Sequence, residues 1–400
     1  MAVLTHFTTG TRRRDPAHPD VSLSMKLDLN DGIIVPGADR SFKCKLEGQG
    51  WNSKAKKSLE RLIEKGAGKR LPVVFDFDNT LVSGDLSEAM LSVLAAENRL
   101  TPRTVCKSLC PPIVVPGKKR VSIAQCSDIM EYYEAMLRPM AHSDADPAPM
   151  ANGYVWATEA LEGLTLGEAV AATATAFHLG QSPEPKHIQA TPGGLSYPAP
   201  RFHPEMVELI AQLLQCEYDV WIVSATCVWS VRWMLLYGLN PILRKKGVRN
   251  GVRPDRVIGL ATLLKDKKGA FYKDSILVRE NRDYAALKGP PLNSLRFTRT
   301  IQHPAPVYSG KVACILDAIG RNPYLCAGDS PGDHAMMRIS RYRLWIHRVE
   351  KPQVTQLTRA LIRQTGGSRW IVQKSSPTGE PRFLASLDEE TDSKPGLRND

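Results

Sequence analysis

The chain has 400 residues, 42% of them hydrophobic and 24% charged, and a formal charge of +12. That balance excludes a disordered chain and leaves room for two or three domains around a substantial core. No run approaches the ~18–20 consecutive apolar residues of a membrane span, and MAVLTHFTTGTRRRDP at the start lacks the apolar centre of a secretory signal.

Residues 1–50, with Arg12-Arg13-Arg14, several prolines and no sustained period, read as an arm of poor definition. Trp51 to Lys65 predicts a helix, with Leu59, Leu62 and Ile63 on one face and Gly66 and Gly68 beyond its end. Leu71 to Ser83, LPVVFDFDNTLVS, reads as a buried strand running into Asp76 and Asp78. Asp85 to Arg99 has helical spacing. From about 91 to 200 no buried parallel strand is evident, so the segment is expected to be a mainly helical inserted domain that leaves through TPGGLSYPAP. It holds the basic Lys118-Lys119-Arg120, the helical IMEYYEAML and an Asp/Pro/Ala loop at 143–149.

His203 to Gln215 is an amphipathic helix, and Val220 to Val223 a second buried strand ending at Ser224, with the amides of Ala225 and Thr226 opening the next helix. Residues 241–310 look basic and irregular, with Arg256 to Leu264 as the best strand. Gly310–Ile319 is helical, Tyr324–Ala327 a strand ending in GDSPGD, and Leu344–His347 a further strand. Pro352–Arg363 is a helix, Trp370–Val372 a short strand, and 385–400 a disordered tail. Strands alternating with helices imply a doubly wound, Rossmann-like α/β core made of 51–90 and 201–380.

Charge and cysteine usage narrow the setting. The excess is uneven: 241–310 holds 15 Lys/Arg against 5 Asp/Glu. Those charges lack the interleaved aromatics of a stacking platform, so a solvated basic face is expected there and no nucleic-acid site. The eight cysteines contain no CxxC pair, which suits free thiols in a reducing compartment and a cytoplasmic protein.

Chemistry gathers at three strand ends, where open α/β sheets place their ligand crevice. Asp76 and Asp78, two apart, point the same way while the chain stays extended, and could share a divalent metal or divide the roles of nucleophile and proton carrier. A plain Asp-Asn turn would use the same residues. Ser224 could bind a phosphate oxygen or simply cap a helix. Asp329 and Asp333 flank Ser330-Pro331 at a helix start, and two acidic strand ends side by side are costly unless a cation joins them. Oxygen-only ligands point to Mg²⁺. Lys311 stands at a helix start, where a lysine is slightly unfavourable unless an anion is near.

DFDNT, then Ser224, then Lys311, then GDSPGD, in that order, resembles the four motifs of the haloacid dehalogenase-like hydrolase superfamily over roughly residues 51–375. The resemblance implies Asp76 as the nucleophile attacking phosphorus and Asp78 as the acid and then base. It implies Ser224 and Lys311 as phosphate-binding residues. It gives Asp76, Asp78 through its carbonyl, and Asp329 as Mg²⁺ ligands, with Asp333 in support. The 148 residues between Asp76 and Ser224 match the place of a cap domain. Phosphoserine phosphatases share this layout. DNTLVSGDLSEAML, GYVWATEALEGLTLGE and RVIGLATLLKD are similar to bacterial phosphorylcholine phosphatases, which are exported, whereas this chain shows no signal. The expected activity is therefore Mg²⁺-dependent hydrolysis of a small phosphorylated metabolite, phosphorylcholine or phosphoethanolamine before phosphoserine. Transfer to another acceptor and a non-catalytic binding module are the alternatives. Trp156 and Tyr154, with Tyr132 and Tyr133, are candidate faces for a quaternary ammonium, and Glu131 and Glu134 candidate counter-charges.

Overall fold

Asn52 caps the first helix, α1 (Ser53–Gly66), its side chain accepting the Ala55 N–H, and Leu59, Leu62 and Ile63 are buried along one face. The computed structural model describes residues 42–114, 120–138, 152–184, 186–376 and 382–385. The arm up to residue 41, Lys118-Lys119, the 143–149 loop and the tail beyond 385 lie outside the described residues. Residues 42–50 lie against α1 and its neighbours. Leu46 is fully buried, and the Cys44 and Leu46 N–H groups donate to Glu64 and Glu60.

The chain continues through β1 (Pro72–Phe75), β2 (Val82–Ser83) and α2 (Leu86–Ala96), whose N-cap is Asp85. Helices α3 (Ile129–Leu137), α4 (Gly153–Glu159) and α5 (Leu166–Gly180) follow, then the hairpin β3 (His187–Gln189) and β4 (Ser196–Pro198). Strand β5 (Arg201–Phe202) returns to pair with β2. Next come α6 (Pro204–Gln215), β6 (Asp219–Cys227) and α7 (Val228–Trp233). A π-helical turn at Met234–Leu239 leads into α8 (Asn240–Lys245). Pro241 has no N–H for the Tyr237 carbonyl, which accounts for the widened turn.

The 241–310 segment is not irregular. It forms β7 (Val257–Leu260), β8 (Thr262–Lys265), β9 (Phe271–Tyr272), α9 (Asp274–Glu280), α10 (Arg282–Ala286) and β10 (Arg296–Ile301). The single strand expected at Arg256–Leu264 breaks at Ala261. Its first half joins the main sheet, and its second half joins a separate antiparallel sheet ordered β10-β8-β9. Apolar residues alternating with charged ones explain why the composition hid these strands: Phe297 is 2% exposed beside the exposed Arg296 and Arg299. Strand β10 is stitched to the α4–α5 connection, where Gly163 and Leu164 exchange hydrogen bonds with Phe297.

The last stretch is α11 (Gly310–Ile319), β11 (Leu325–Gly328), α12 (His334–Ile339), β12 (Tyr342–Arg348), α13 (Pro352–Thr365), β13 (Trp370–Ser376) and β14 (Arg382–Leu384). The central sheet has the order β14-β13-β12-β11-β1-β6-β7, all parallel except the edge strand β14. Successive residues feed opposite faces: Val74 and Cys326 pack on one side, Val73, Phe75, Leu325 and Ala327 on the other. Burial of each such side chain is worth roughly 1.5–3 kcal/mol, so β1 is anchored from both faces. From β1 the chain winds outward to β6 and β7, then returns to β11 and winds the other way. The switch falls beside β1, where a ligand crevice opens. This is a doubly wound α/β core carrying a helical cap.

Candidate active site

Pairing fixes Asp76. Phe75 faces Ala327 on one side and Ile222 on the other, and the Asp76 N–H still donates to the Ala327 carbonyl at 3.0 Å. Beyond it the chain folds tightly: the N–H groups of Thr80, Leu81 and Val82 all donate to the Phe77 carbonyl, and Asn79 adopts φ 55°. Asn tolerates that left-handed conformation better than most residues. The turn delivers Asp78 to α2, where Leu86 N–H donates to Asp78 Oδ1 at 2.7 Å.

Ser224 does not end its strand. Strand β6 runs on to Cys227, with an irregular register against β7 between Val223 and Cys227, and the helix begins at Val228. The Ala225 and Thr226 amides therefore do not open that helix, and the Thr226 N–H instead donates to Ser224 Oγ at 3.0 Å. The two hydroxyls converge on one oxygen. Ser224 Oγ and Thr226 Oγ1 donate to Asp78 Oδ2 at 3.2 and 2.7 Å. The Thr226 hydroxyl had no role in the sequence reading, since its position depends on the strand continuing.

Lys311, in the first turn of α11, is buried, and its Nζ donates to Asp76 Oδ1 and Asp333 Oδ1, each at 2.6 Å. The other Asp333 oxygen accepts from the Asp329 and Ser330 N–H groups and from Ser330 Oγ. Asp333 is thus committed to holding its own turn and Lys311. Asp329 receives Thr80 Oγ1 at 3.3 Å and Arg348 Nη1 at 3.2 Å. Arg348 was missed, although it too ends a central strand, β12.

Carboxylate oxygens of Asp76, Asp329 and Asp333 lie within 4.8 Å of one another, all three residues buried. Burial, then the Asp333 charge, raises the Asp76 carboxyl well above its ordinary range against the pull of Lys311. Burial brings Asp329 to about 7 despite Arg348. Asp78 is raised by burial and held back by its donors from Leu86, Thr226 and Ser224. Burial would lower Lys311, but Asp333 and Asp76 outweigh it and raise it.

Asp76, Asp78, Thr226, Lys311, Asp329 and Arg348 line a cavity of about 690 Å³. Asp85, Glu88, Glu134 and Tyr154 also line it, together with Lys351 and with Arg138, which lies 3.8 Å from Glu134. Burial, then Glu134, pushes Glu88 up to about 7. The aromatic candidates divide. Tyr154 reaches the cavity, whereas Trp156 is 2% exposed and packs with Tyr132 and Tyr133 inside the cap. Trp156 follows the ordinary fate of a large apolar ring in a helical layer. Glu131 is spent on Ser127, accepting from its N–H and its hydroxyl.

No family model matches the chain. The chain is 27% identical over 314 residues to phosphorylcholine phosphatase of Pseudomonas aeruginosa, a match covering 75% of this chain and 81% of that relative. A conserved, functionally unknown protein from Anaerococcus prevotii superposes with a TM-score of 0.54 at 18% identity, over 87% of this chain and 98% of that one. A substrate-bound phosphoserine phosphatase gives a TM-score of 0.37 at 12% identity, over 72% and 90%, too distant to add to the argument. The four motifs follow one another along a doubly wound sheet, and the similarity to that curated relative supports a haloacid dehalogenase-like phosphatase.

Proposed function

We propose that the chain hydrolyses a small phosphate monoester with Mg²⁺, through a phosphorylated Asp76, and that the ester carries a cationic head of the phosphorylcholine or phosphoethanolamine kind. The observation that carries the reading is the meeting of Asp76, Lys311, Asp329 and Asp333 beneath one cavity, with Asp78 two residues on.

The donor set fits a hard divalent cation. Among the described residues, four carboxylates, of Asp76, Asp78, Asp329 and Asp333, meet two ion-pairing cations, Lys311 and the largely buried Arg348, and burial first and the neighbouring Asp333 charge raise the Asp76 and Asp329 carboxyls. Asp76, Asp329 and the Asp78 carbonyl would hold the ion, all oxygen donors. When bound, Mg²⁺ supplies the positive charge that lets a carboxylate approach a phosphate.

Asp76 forms the bond to phosphorus while the leaving oxygen takes a proton from Asp78. Water then attacks the phosphoaspartate and returns a proton to Asp78. Lys311, fixed by Asp333, pulls Asp76 toward its ionised form against burial and aims it. Ser224 and Thr226 hold Asp78 by the oxygen opposite the one that Leu86 holds.

The excess of carboxylates over cations in the lining, with Asp85 and Glu88 beside the cluster, supports a cationic head group, and Tyr154 offers a ring face. Phosphoserine adds a carboxylate to its ammonium, which suits a lining with an excess of acids less well and ranks it second. All eight cysteines are free, in keeping with a reducing compartment, and no helix among the described residues is long and apolar enough to cross a membrane. The test is phosphate release from a panel of esters, with Mg²⁺ and with chelator, beside Asp76→Asn. Turnover of phosphorylcholine that disappears with either change supports the whole reading. Turnover restricted to other esters removes the head-group assignment, and no metal-dependent release from any ester removes the activity.

A further inference from the structure

Beside the catalytic cavity lies a second one, of about 260 Å³, and the two share Asn79, Gly84, Pro198 and Arg348 as a common wall. Two cross-strand pairs frame it. Ser83 of β2 faces Arg201 of β5, and Arg348 of β12 faces Ser375 of β13. His203, its ring tilted against Phe383 with centroids 4.7 Å apart, lines it as well, as does the exposed Lys186.

The two cavities differ in sign. The catalytic one has six carboxylates against four cations among the described residues of its lining. Among the described residues the second is lined by Arg201, Arg348 and Lys186 and by one acid, Glu350, which is already bound to Arg348 Nε at 2.7 Å. Burial and then Arg348 lower His203 to about 4, so its ring is neutral at pH 7 and adds no charge. Ser83, 8% exposed, leaves its hydroxyl without a hydrogen-bond partner among the described residues. An orphaned buried hydroxyl is costly unless something else accepts from it.

We propose that this second cavity binds a tetrahedral oxyanion, free inorganic phosphate above all, at a site separate from the reacting centre and joined to it through Arg348. The volume suits an ion of that size with a few waters and is too small for a nucleotide. Guanidinium groups and hydroxyls are the donors that recognise phosphate oxygens. Arg348 donates to Asp329 with Nη1, so an oxyanion on its other side competes with Asp329 for the same guanidinium. Phosphate released by the reaction would then act back on the carboxylate cluster without occupying it.

The test titrates inorganic phosphate into the full chain in chelator, by calorimetry, with the His203 ring resonances as a local reporter. Chelator leaves the catalytic carboxylates unneutralised, so binding there is disfavoured and the result does not depend on which ester is the substrate. One phosphate per chain is expected, with a shift of the His203 signals. Arg201→Gln is expected to weaken binding at least tenfold. Ser83→Ala is expected to weaken it several-fold without lowering the melting temperature, because it removes a hydroxyl that makes no bond. Absence of phosphate binding overturns the proposal, as does binding that both variants leave intact. So does a third result, in which phosphate fails to bind but Arg201→Gln raises KM for an ester with a second anionic group. That result would assign the cavity to the far end of a substrate.

Discussion

Lys311 Nζ sits 2.6 Å from Asp76 Oδ1, a contact between residues 235 apart in the chain and both buried. The same ammonium lies 2.6 Å from Asp333, so one cation holds the end of β1 to the turn after β11.

Removing that cation leaves two buried carboxylates facing each other. Lys311→Ala is expected to cost about 3 kcal/mol or more, the range for breaking a buried pair from one side. Phosphate release should fall at least a hundredfold. Urea denaturation and a turnover assay check the two parts. Asp76→Asn should instead keep the fold, since an amide oxygen still accepts from Lys311, and lose release altogether.

Thr226→Val removes the shortest hydroxyl donor to Asp78, at 2.7 Å. A donor to the ionised form lowers a carboxyl pKa, so its loss raises that of Asp78 further. In the proposed mechanism Asp78 is protonated in the first step, and the alkaline limb of kcat/KM should therefore move to higher pH. An unmoved limb with a lower plateau would mean that Thr226 serves only packing.

Glu88, pushed up to about 7, stays protonated in the folded protein over a range where the unfolded chain ionises it near 4.5. The folded protein then binds more protons, so this group's contribution is full below pH 4.5 and is lost as pH rises to about 7. Each unit of such a shift corresponds to about 1.4 kcal/mol. Allowing for screening by water in the cavity, wild type should lose about 2 kcal/mol relative to Glu88→Gln across that window in chelator. Denaturant midpoints at pH 4.5 and 7.5 measure the difference.

The same substitution tests the head-group reading. Glu88→Gln should raise KM for phosphorylcholine about tenfold, while an ester with an uncharged alcohol part, such as methyl phosphate, shows an unchanged KM. Equal effects on both esters would remove Glu88 from recognition.

Mg²⁺ should raise the melting temperature of the chelated protein, because an ion that binds only the folded state adds about 2.7 kcal/mol at a hundred times its dissociation constant. Asp329→Asn should abolish that rise. If the rise persists in the variant, the ion binds elsewhere.

Much of the core was legible in the chain because its signals are local. Four apolar residues running into Asp76 announce a buried strand, IMEYYEAML coincides with α3, and Ser330-Pro331 with Asp333 closes as a capping box. Each depends on neighbours a few residues away, where backbone geometry is set by adjacent side chains. The order of the four motifs carried the rest of the site, since strand ends of one parallel sheet must share an edge.

What needed the tertiary structure were the features that distant segments make together. Ser224 lies inside β6 because β7 offers a partner strand as far as Leu260, a pairing that no stretch around Ser224 encodes. Trp156 turned into the cap because Tyr132 and Tyr133 waited there, while Tyr154, two residues away on the same short helix, faces the cavity. Arg348 met Asp329, and Glu88 met Glu134, only when separate elements packed. Local sequence determines what a segment becomes, but burial and charge at a site are sums over every segment that reaches it, and those sums exist only once the chain has folded.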